Sequence, residues 1–273
     1  MDQVRPAAVA GMFYPGAPKE LAADLRAYLG EAATRAAAAS SPWPKALIVP
    51  HAGYMYSGPI AASAYAQLAA GRGAIKRVVL FGPTHRVPVR GLALPCARAF
   101  ATPLGTVAVD QDAVAVALTL PQVRQSDAPH AMEHALEVQI PFLQAVLEGF
   151  EIAPFAVGDA TPEEVAQVIE RLWGGAETLI VISSDLSHYH RYAEARHIDQ
   201  ESVENIIRLA PVLNHEQACG ATPINGLLLC AQRHGLKPAL LDLRNSGDTA
   251  GDKARVVGYA SFAFMEAEHG VRQ

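Results

Sequence analysis

The stretch ALIVPHAGYMYSG, residues 46–58, decides the fold class. Its apolar run at 46–49 is stopped by Pro50, and His51 follows at once. A short run that is apolar at every position is typical of a strand buried on both faces of a parallel sheet. In such sheets ligands bind beyond the carboxyl ends of the strands. His51 is therefore expected at the edge of the sheet where a site would be built.

Short apolar runs and helical patterns alternate along the rest of the chain. Strands are predicted at 46–49, 77–82, 151–157, 178–183, 238–243 and 255–264, with further strands within 91–109. Helices are predicted at 18–39, 59–70, 111–118, 132–147, 162–173, 193–209 and 223–234. An extended entry segment is predicted at 1–17 and a break at 40–44. The pattern favours an α/β fold, with one domain over residues 1–273 and a central, mostly parallel sheet flanked by helices.

Composition excludes several classes of protein. Hydrophobic residues make up 51% of the 273 residues and charged residues 18%, which is typical of a globular chain with a large core. The net charge of −5 and the absence of a basic stripe argue against binding to nucleic acid or to a membrane surface. No apolar run approaches a membrane span, and the N-terminus lacks the apolar core of a signal peptide. A cytoplasmic protein is expected.

Two further predicted strands end in the same way as the first. The run at 77–82 is followed by Thr84 and His85, and the run at 178–183 is followed by Asp185 and His188. A single histidine after a strand is more often a turn or capping residue. Three strand ends with this pattern favour one shared site, and converging imidazoles indicate a transition metal.

A cysteine at a predicted helix start is a further candidate ligand. Thr222 and Pro223 predict the N-cap and first position of a helix, and Cys219 lies just before them. A thiol near a helix N-terminus is expected to have a lowered pKa, which favours the thiolate that binds metals. Cys230, in an apolar run, and Cys96 are predicted to be structural. Three cysteines without a CxxC pair argue against a disulfide scaffold.

The segment HAMEHALEVQIPFLQ, residues 130–144, offers a pair of polar side chains. His134 and Glu137 are three apart and are predicted to share one face of a helix, as an acid/base pair or as neighbours of a metal ligand. The alternative is a polar helix start with a solvated Glu137. The segment lacks the second histidine of a metalloprotease helix, which excludes that class.

Six motifs in order carry a resemblance that spans nearly the whole chain. They are PHAGYMYSG, FGPTHRVPV, ATPLGTVAVD, EHALEVQIPFLQ, SSDLSHY and CGATPINGLL. Together they resemble the Memo family, whose bacterial and archaeal members are called AmmeMemoRadiSam system protein B. That family is similar to class III extradiol dioxygenases, which cleave aromatic rings with non-haem iron. The resemblance implies one α/β domain with a largely parallel sheet between helices.

The resemblance also implies roles for particular side chains. The metal ligands of the family match His51, His85 and Cys219. The histidine that matches the acid/base of the dioxygenases is His188. The remaining matches to family motifs, which we expect to take part in catalysis or to orient the ligands, are Asp185, His134 and Glu137. Tyr54 and Tyr56 are expected to line the pocket.

These assignments predict a metal-dependent redox enzyme of unknown substrate, with iron(II) or copper as the favoured metal and zinc as the alternative. A cysteine stands where the dioxygenases have a carboxylate, so ring cleavage is not expected to carry over. Two other functions remain open. One is a zinc hydrolase with His188 or Glu137 as the base, and the other is a binding module for a peptide or small acid. The family's name further implies a functional link to a radical-SAM protein.

Overall fold

Short buried strands and helices alternate throughout the part of the chain that the structure describes. The computed structural model describes residues 4–35 and 43–266, so parts of the predicted segments at 1–17, 18–39 and 40–44 lie outside it. The strands are β1 (Val4–Arg5), β2 (Ala46–Val49), β3 (Arg77–Pro83), β4 (Leu92–Leu94), β5 (Ala99–Thr102), β6 (Gly105–Ala108), β7 (Val123–Gln125), β8 (Glu151–Val157), β9 (Thr178–Ser183), β10 (His188–His190), β11 (Lys237–Asn245) and β12 (Val256–Met265). The helices are α1 (Pro18–Arg35), α2 (Tyr54–Tyr65), α3 (Gln111–Ala117), α4 (Ala128–Ala131), α5 (Ile140–Val146), α6 (Pro162–Arg171), α7 (Tyr192–Ile207), α8 (Ala221–His234) and α9 (Ser246–Thr249).

A nine-stranded mixed sheet forms the centre of the fold. Eight strands follow the order β10-β12-β2-β9-β3-β8-β4-β7, and β11 pairs with β12 off this path. The central strands β2, β9, β3 and β8 are parallel to one another, while β12 is antiparallel to β2 and β4 is antiparallel to β8. Strand β7 pairs with β4 in parallel. A second sheet of three strands has the order β1-β5-β6. The predicted α/β class with a mostly parallel sheet between helices is confirmed.

The parallel centre of the sheet is buried on both faces. Every residue of β2 and of β9 is buried, as the continuous apolar runs predict. Helix α2 packs against β2 and β12 on one side, whereas α8 packs against β3 and β9. Because β2, β9 and β3 are parallel neighbours, their carboxyl ends meet at one edge. No helix in the described part of the chain has both the length and the apolar character needed to cross a bilayer.

The first half of the helix predicted at 132–147 is wrong, whereas the second half is confirmed as α5. The structure has the short helix α4, a non-helical segment at 132–136, a 3-10 turn at Glu137–Gln139 and then α5. The carboxylate of Glu133 accepts hydrogen bonds from the amides of His134 and Ala135, which replaces the helical pattern at this point. The break lets the chain cross the carboxyl edge of the sheet and carries His134 there.

Two predicted helix starts are also wrong. Helix α2 begins at Tyr54 instead of residue 59, because the carbonyl of Gly53 already accepts hydrogen bonds from the amides of Tyr56 and Ser57. Helix α8 has Gly220 as its N-cap instead of Thr222. The first turn of each helix therefore lies closer to the carboxyl edge of the sheet than the sequence predicts.

Candidate metal centre

Three histidines meet at the carboxyl edge of the sheet. His51 follows β2 and His85 follows β3, while His134 comes from the segment that crosses this edge. The ring centroids are 5.2 Å apart for His51 and His85, 5.3 Å for His51 and His134, and 4.6 Å for His85 and His134. Each ring offers a nitrogen atom, and these three atoms lie within 4.8 Å of one another. The cluster could hold a metal ion.

One buried carboxylate orients two of the three rings. Glu133 is 2% exposed, and its Oε1 lies 2.8 Å from Nδ1 of His85 and 3.2 Å from Nδ1 of His134. Its Oε2 accepts a hydrogen bond from the backbone amide of His85 at 2.7 Å. Burial acts to raise the pKa of Glu133, but the hydrogen bonds from His85 and from backbone amides outweigh it and lower the pKa to about 2. Glu133 is therefore a carboxylate at neutral pH.

The third ring is oriented by a serine at the end of β9. Ser183 Oγ donates its proton to the carbonyl of Ala135 at 2.6 Å and accepts from Nε2 of Gln139 at 2.8 Å. Nδ1 of His51 lies 2.9 Å from the same oxygen. Because the hydroxyl proton is already committed to Ala135, Nδ1 of His51 must be the donor in this contact.

The orientation of Gln139 is fixed by its other partners. Its amide nitrogen also donates to the carbonyl of Pro50 at 2.9 Å, and its amide oxygen accepts from the hydroxyl of Tyr65 at 2.9 Å. Every polar atom of this buried group therefore has a partner. The network holds His51 as the Nδ1–H tautomer, which leaves a lone pair on Nε2.

All three rings are contacted by a second group at Nδ1. Nδ1 is in contact with Ser183 in one case and with Glu133 in the other two, so Nε2 is the nitrogen left free toward the cluster. Burial and then the neighbouring His85 lower the pKa of His51 to about 3, and burial and then His51 lower the pKa of His134 to about 4. His51 and His134 are thus neutral imidazoles held at Nδ1 by a second group, the form in which histidine binds metals, so the residues present fit a metal ion.

Cys219 lies beside the cluster, one residue before the N-cap of α8. Its Sγ is 3.3 Å from Nε2 of His51 and 3.8 Å from Oγ of Ser184. The predicted lowering of the thiol pKa is wrong, because burial, followed by the charge of Asp185, raises the pKa of Cys219 to about 12. The surroundings of the thiol outweigh the dipole of the helix. Cys230 lies in the core on α8, and its Sγ donates to the carbonyl of Ala166.

Asp185 and His188 border the same cluster from the loop after β9. Asp185 is 4% exposed, and its Oδ1 accepts from the backbone amide of His51 at 2.7 Å. Burial raises the pKa of this carboxyl group. His188 is partly buried at the start of β10, where it pairs with Val257. The loop therefore both fixes the backbone of one cluster histidine and adds a fourth imidazole to the same cleft.

Glu137 contacts the N-terminal segment and does not form the predicted acid/base pair with His134. It is fully buried, and its Oε2 accepts from Arg5 at 2.6 Å and from the amide of Ala8 at 2.8 Å. Its Oε1 accepts from the hydroxyl of Tyr14 at 2.6 Å. Glu137 therefore ties the N-terminal segment to the chain just after the break at 132–136, and it is not the solvated residue of the alternative prediction.

Of the two tyrosines predicted to line the pocket, Tyr56 lines it and Tyr54 does not. Tyr54 is 3% exposed, and its hydroxyl donates to the carbonyl of Val138, so it belongs to the core. Tyr56 lines a cleft of about 810 Å³ that also contains the three histidines. Phe13 lines the same cleft, with its ring centroid 4.6 Å from that of His134.

Sequence reasoning missed the residues that orient the rings. Glu133 stands in the quoted motif EHALEVQIPFLQ, directly before His134, and Ser183 stands in SSDLSHY. A carboxylate next to a candidate ligand histidine is the signal that would have found the first. Gln139 gives no such signal, because its part depends on contacts with residues far apart in sequence.

Comparisons with known proteins agree with this architecture. The family model described as "Memo-like protein" matches residues 5–263. The chain is 33% identical to a MEMO1 family protein of Sulfolobus acidocaldarius, with 96% of this chain and 99% of the relative covered. It is 36% identical to a MEMO1 family protein of Aeropyrum pernix, with 94% and 98% covered, and 34% identical to one of Aquifex aeolicus, with 96% and 100% covered.

Proposed function

This chain belongs to the Memo-like protein family, and from that premise and its histidine cluster we propose that it is a metal-dependent redox enzyme using iron or copper. Its single α/β domain has the dioxygenase-like fold of that family. The observation that carries the proposal is the set of three imidazoles that are engaged at Nδ1, which leaves Nε2 for the cluster. Nε2 of His51 also contacts Sγ of Cys219, a further candidate ligand. A functional link to a radical-SAM protein is part of the same proposal.

In this proposal His51 and His85 are ligands, and Cys219 and His134 are the two candidates that complete the set. Imidazole and thiolate donors suit iron, copper and zinc, whereas magnesium and calcium prefer oxygen. A bound iron or copper ion would supply one-electron chemistry at this point. The high pKa of the Cys219 thiol means that binding of a metal by sulfur must release a proton.

His188 is the proposed proton-transfer group. It lines the cleft that contains the cluster, and it is not one of the three histidines whose nitrogens come together. Asp185 holds the backbone of His51, which suits a positioning residue better than a group that exchanges protons with a substrate.

A zinc hydrolase is the second candidate, because the donor set of nitrogen and sulfur also suits zinc. The number of ligands separates the two candidates. If all four candidate donors bind zinc, the tetrahedral site is closed and leaves no position for the water that hydrolysis needs. Hydrolysis therefore requires one of Cys219 and His134 to stay off the metal.

Metal content of protein purified without oxygen or chelator tests the proposal. We expect about one iron or copper ion per chain by mass spectrometry, with an electron paramagnetic resonance signal in one oxidation state. The metal should be lost in His51→Ala and His85→Ala. Tightly held, spectroscopically silent zinc would favour the hydrolase. A wild type that contains no metal and cannot be loaded would overturn both and favour the binding module.

Two matched variants test the cysteine and the proton-transfer group. Cys219→Ser should weaken metal binding more than Cys230→Ser, since Cys230 lies in the core on α8; equal loss would contradict the ligand assignment. His188→Ala should retain the metal and change the reactivity of the metal toward oxygen. An empty site in that variant would show that His188 is itself a ligand.

A further inference from the structure

An arginine that forms no ion pair within the described part of the chain lines the cleft of the candidate metal centre. The guanidinium of Arg255 lies 5.1 Å from the ring centroid of Tyr189, and no described residue forms an ion pair with it. Among the described residues that line the cleft, Arg255 is the one lysine or arginine. A cation that shares a cleft with a cluster of metal-binding groups is suited to hold the charged end of a ligand.

The position of this arginine follows from the pairing of two strands. In the antiparallel pair β10–β12, His190 lies opposite Val256, and the register is irregular between His188 and His190. Arg255 directly precedes Val256, so the pairing brings it next to Tyr189. Arg255 is exposed and lies in the bend just before β12, so it is one residue away from a position that is paired with β10.

Tyr189 is the second observation. Its φ is +63°, and among described residues other than glycine only Leu209 shares a positive φ. This conformation is costly for a bulky side chain, and such strain is found most often at ligand-binding and catalytic positions. The ring is 63% exposed and faces the guanidinium. An exposed aromatic ring in a strained conformation, directly after His188, is explained if it forms part of a binding surface.

We propose that the substrate of this site is an organic monocarboxylate, with its carboxylate bound by Arg255 and its apolar or aromatic body lying toward the metal centre. The planar guanidinium can donate two parallel hydrogen bonds to a carboxylate. The body would contact the aromatic side chains of the cleft, among them Phe13, Tyr56 and Tyr189. The proposal rests on the proposed function only in placing the ligand next to a metal.

The charges in the cleft favour a monoanion over a phosphate. Asp185, Glu216 and Asp252 line the cleft as well, and Arg255 is the single lysine or arginine among the described lining residues to oppose them. A phosphate ester with close to two negative charges would be repelled by these carboxyl groups more strongly than a monoanion. One arginine matches a carboxylate in charge and in shape.

Binding of benzoate and of its neutral analogue benzamide tests the inference. Both are titrated by calorimetry into protein as purified and into chelator-treated protein, where direct binding to a metal is removed. We expect benzoate to bind at least about tenfold more tightly than benzamide in both, because only the carboxylate carries a negative charge and two oxygens for the paired hydrogen bonds of the guanidinium. Arg255→Gln should abolish the difference, and Arg255→Lys should restore part of it.

Arg196→Gln is the matched control. Arg196 also lies over a tyrosine, at 5.9 Å from the ring centroid of Tyr192, but it lines a separate cavity. Its replacement should leave benzoate binding unchanged. Phenyl phosphate should bind more weakly than benzoate. A tripeptide ending in phenylalanine, compared with its C-terminal amide, distinguishes a peptide terminus from a free acid as the source of the carboxylate.

Three results would overturn the inference. They are equal affinity for the carboxylate and neutral probes, unchanged benzoate affinity in Arg255→Gln, and tighter binding of phenyl phosphate than of benzoate. A protein that fails to bind metal but still prefers benzoate through Arg255 would refute the proposed redox function and support the carboxylate site. The two proposals can therefore fail independently.

Discussion

Oε1 of Glu133 lies 2.8 Å from Nδ1 of His85, and the same oxygen lies 3.2 Å from Nδ1 of His134. One carboxylate thus fixes two rings that come from distant parts of the chain. It also accepts from the backbone amides of His85, His134 and Ala135, so no other residue can take its place without a change in both segments.

Glu133→Gln should weaken metal binding by about 10- to 100-fold, the usual effect of removing a group that orients ligand histidines. The amide presents one acceptor where the carboxylate presents two, so either the backbone amide of His85 or both rings lose their acceptor. Titration with cobalt(II), followed by its visible absorption, measures the affinity. Glu216→Gln, in the same cleft but exposed, is the control. Equal affinities in the two variants would contradict the role of Glu133.

Ser183→Ala should allow His51 to adopt both the Nδ1–H and the Nε2–H tautomer. Without the hydroxyl, Nδ1 of His51 and the amide of Gln139 lose a buried acceptor, which costs about 1–3 kcal/mol of stability. Nitrogen-15 NMR of the imidazole rings in metal-free protein should show one Nδ1–H form for His51 in the wild type and a mixture in the variant. Ser261→Ala is the control, because the Ser261 hydroxyl is buried and has no hydrogen-bond partner among the residues that the structure describes. A wild-type His51 protonated at Nε2 would refute the network as described.

Glu137→Ala should destabilise the fold by about 3–5 kcal/mol, since it leaves Arg5 as a buried charge without its carboxylate. Urea denaturation gives the free energy of unfolding. Glu148→Ala removes the exposed pair with Arg72, whose side chains are 63% and 50% exposed, and should cost at most about 1 kcal/mol. A small effect at Glu137 would show that the N-terminal segment is not held by this residue.

Asp199→Asn should change how stability depends on pH. Asp199 is 2% exposed and accepts from the amide of Ser187, and burial raises its pKa from 3.8 to about 6. Between these values the folded state keeps a proton that the unfolded state has lost. The wild type should therefore lose on the order of 2 kcal/mol of stability from this group as pH rises from about 4 to about 6.

The asparagine variant keeps the acceptor for Ser187 and carries no titrating group. Its free energy of unfolding, minus that of the wild type, should increase over the same pH interval and be level above it. Asp112→Asn, at an exposed position of α3, serves as the reference for a simple loss of charge. A difference for Asp199→Asn that is flat from pH 4 to pH 7 would rule out the raised pKa.

The strands and the edge at which they end could be predicted from sequence because both depend on local pattern. Apolar runs such as 46–49 and 178–183 have the same bounds in sequence and structure. The break at 132–136 could not be predicted, since local propensity favours a helix there and contacts from Glu133 override it. The role of Glu137 was hidden for the same reason, because Arg5 and Tyr14 lie more than 120 positions away.

Among the candidate ligands, too, some positions could be predicted from the sequence and others could not. His51 and His85 follow strands, so their meeting at one edge could be expected from the parallel sheet. His134 was predicted to take part in catalysis or to orient the ligands, and not to belong to the histidine cluster. Its position depends on the break at 132–136, which the sequence did not reveal. The pKa of Cys219 was predicted with the wrong sign, since burial cannot be read from a helix start alone.

The position of β12 has a consequence for how the protein is made. This last described strand lies inside the sheet, next to β2, and the cleft is walled by residues as distant as Phe13 and Tyr259. While the ribosome is still synthesising the region before residue 256, β2 has an unpaired edge and the cleft lacks a wall. Nascent chains therefore expose the edge of β2 to edge-to-edge association until β12 has been synthesised and has paired with it. The wall of the cleft that β12 supplies, which includes Tyr259, forms only at that point.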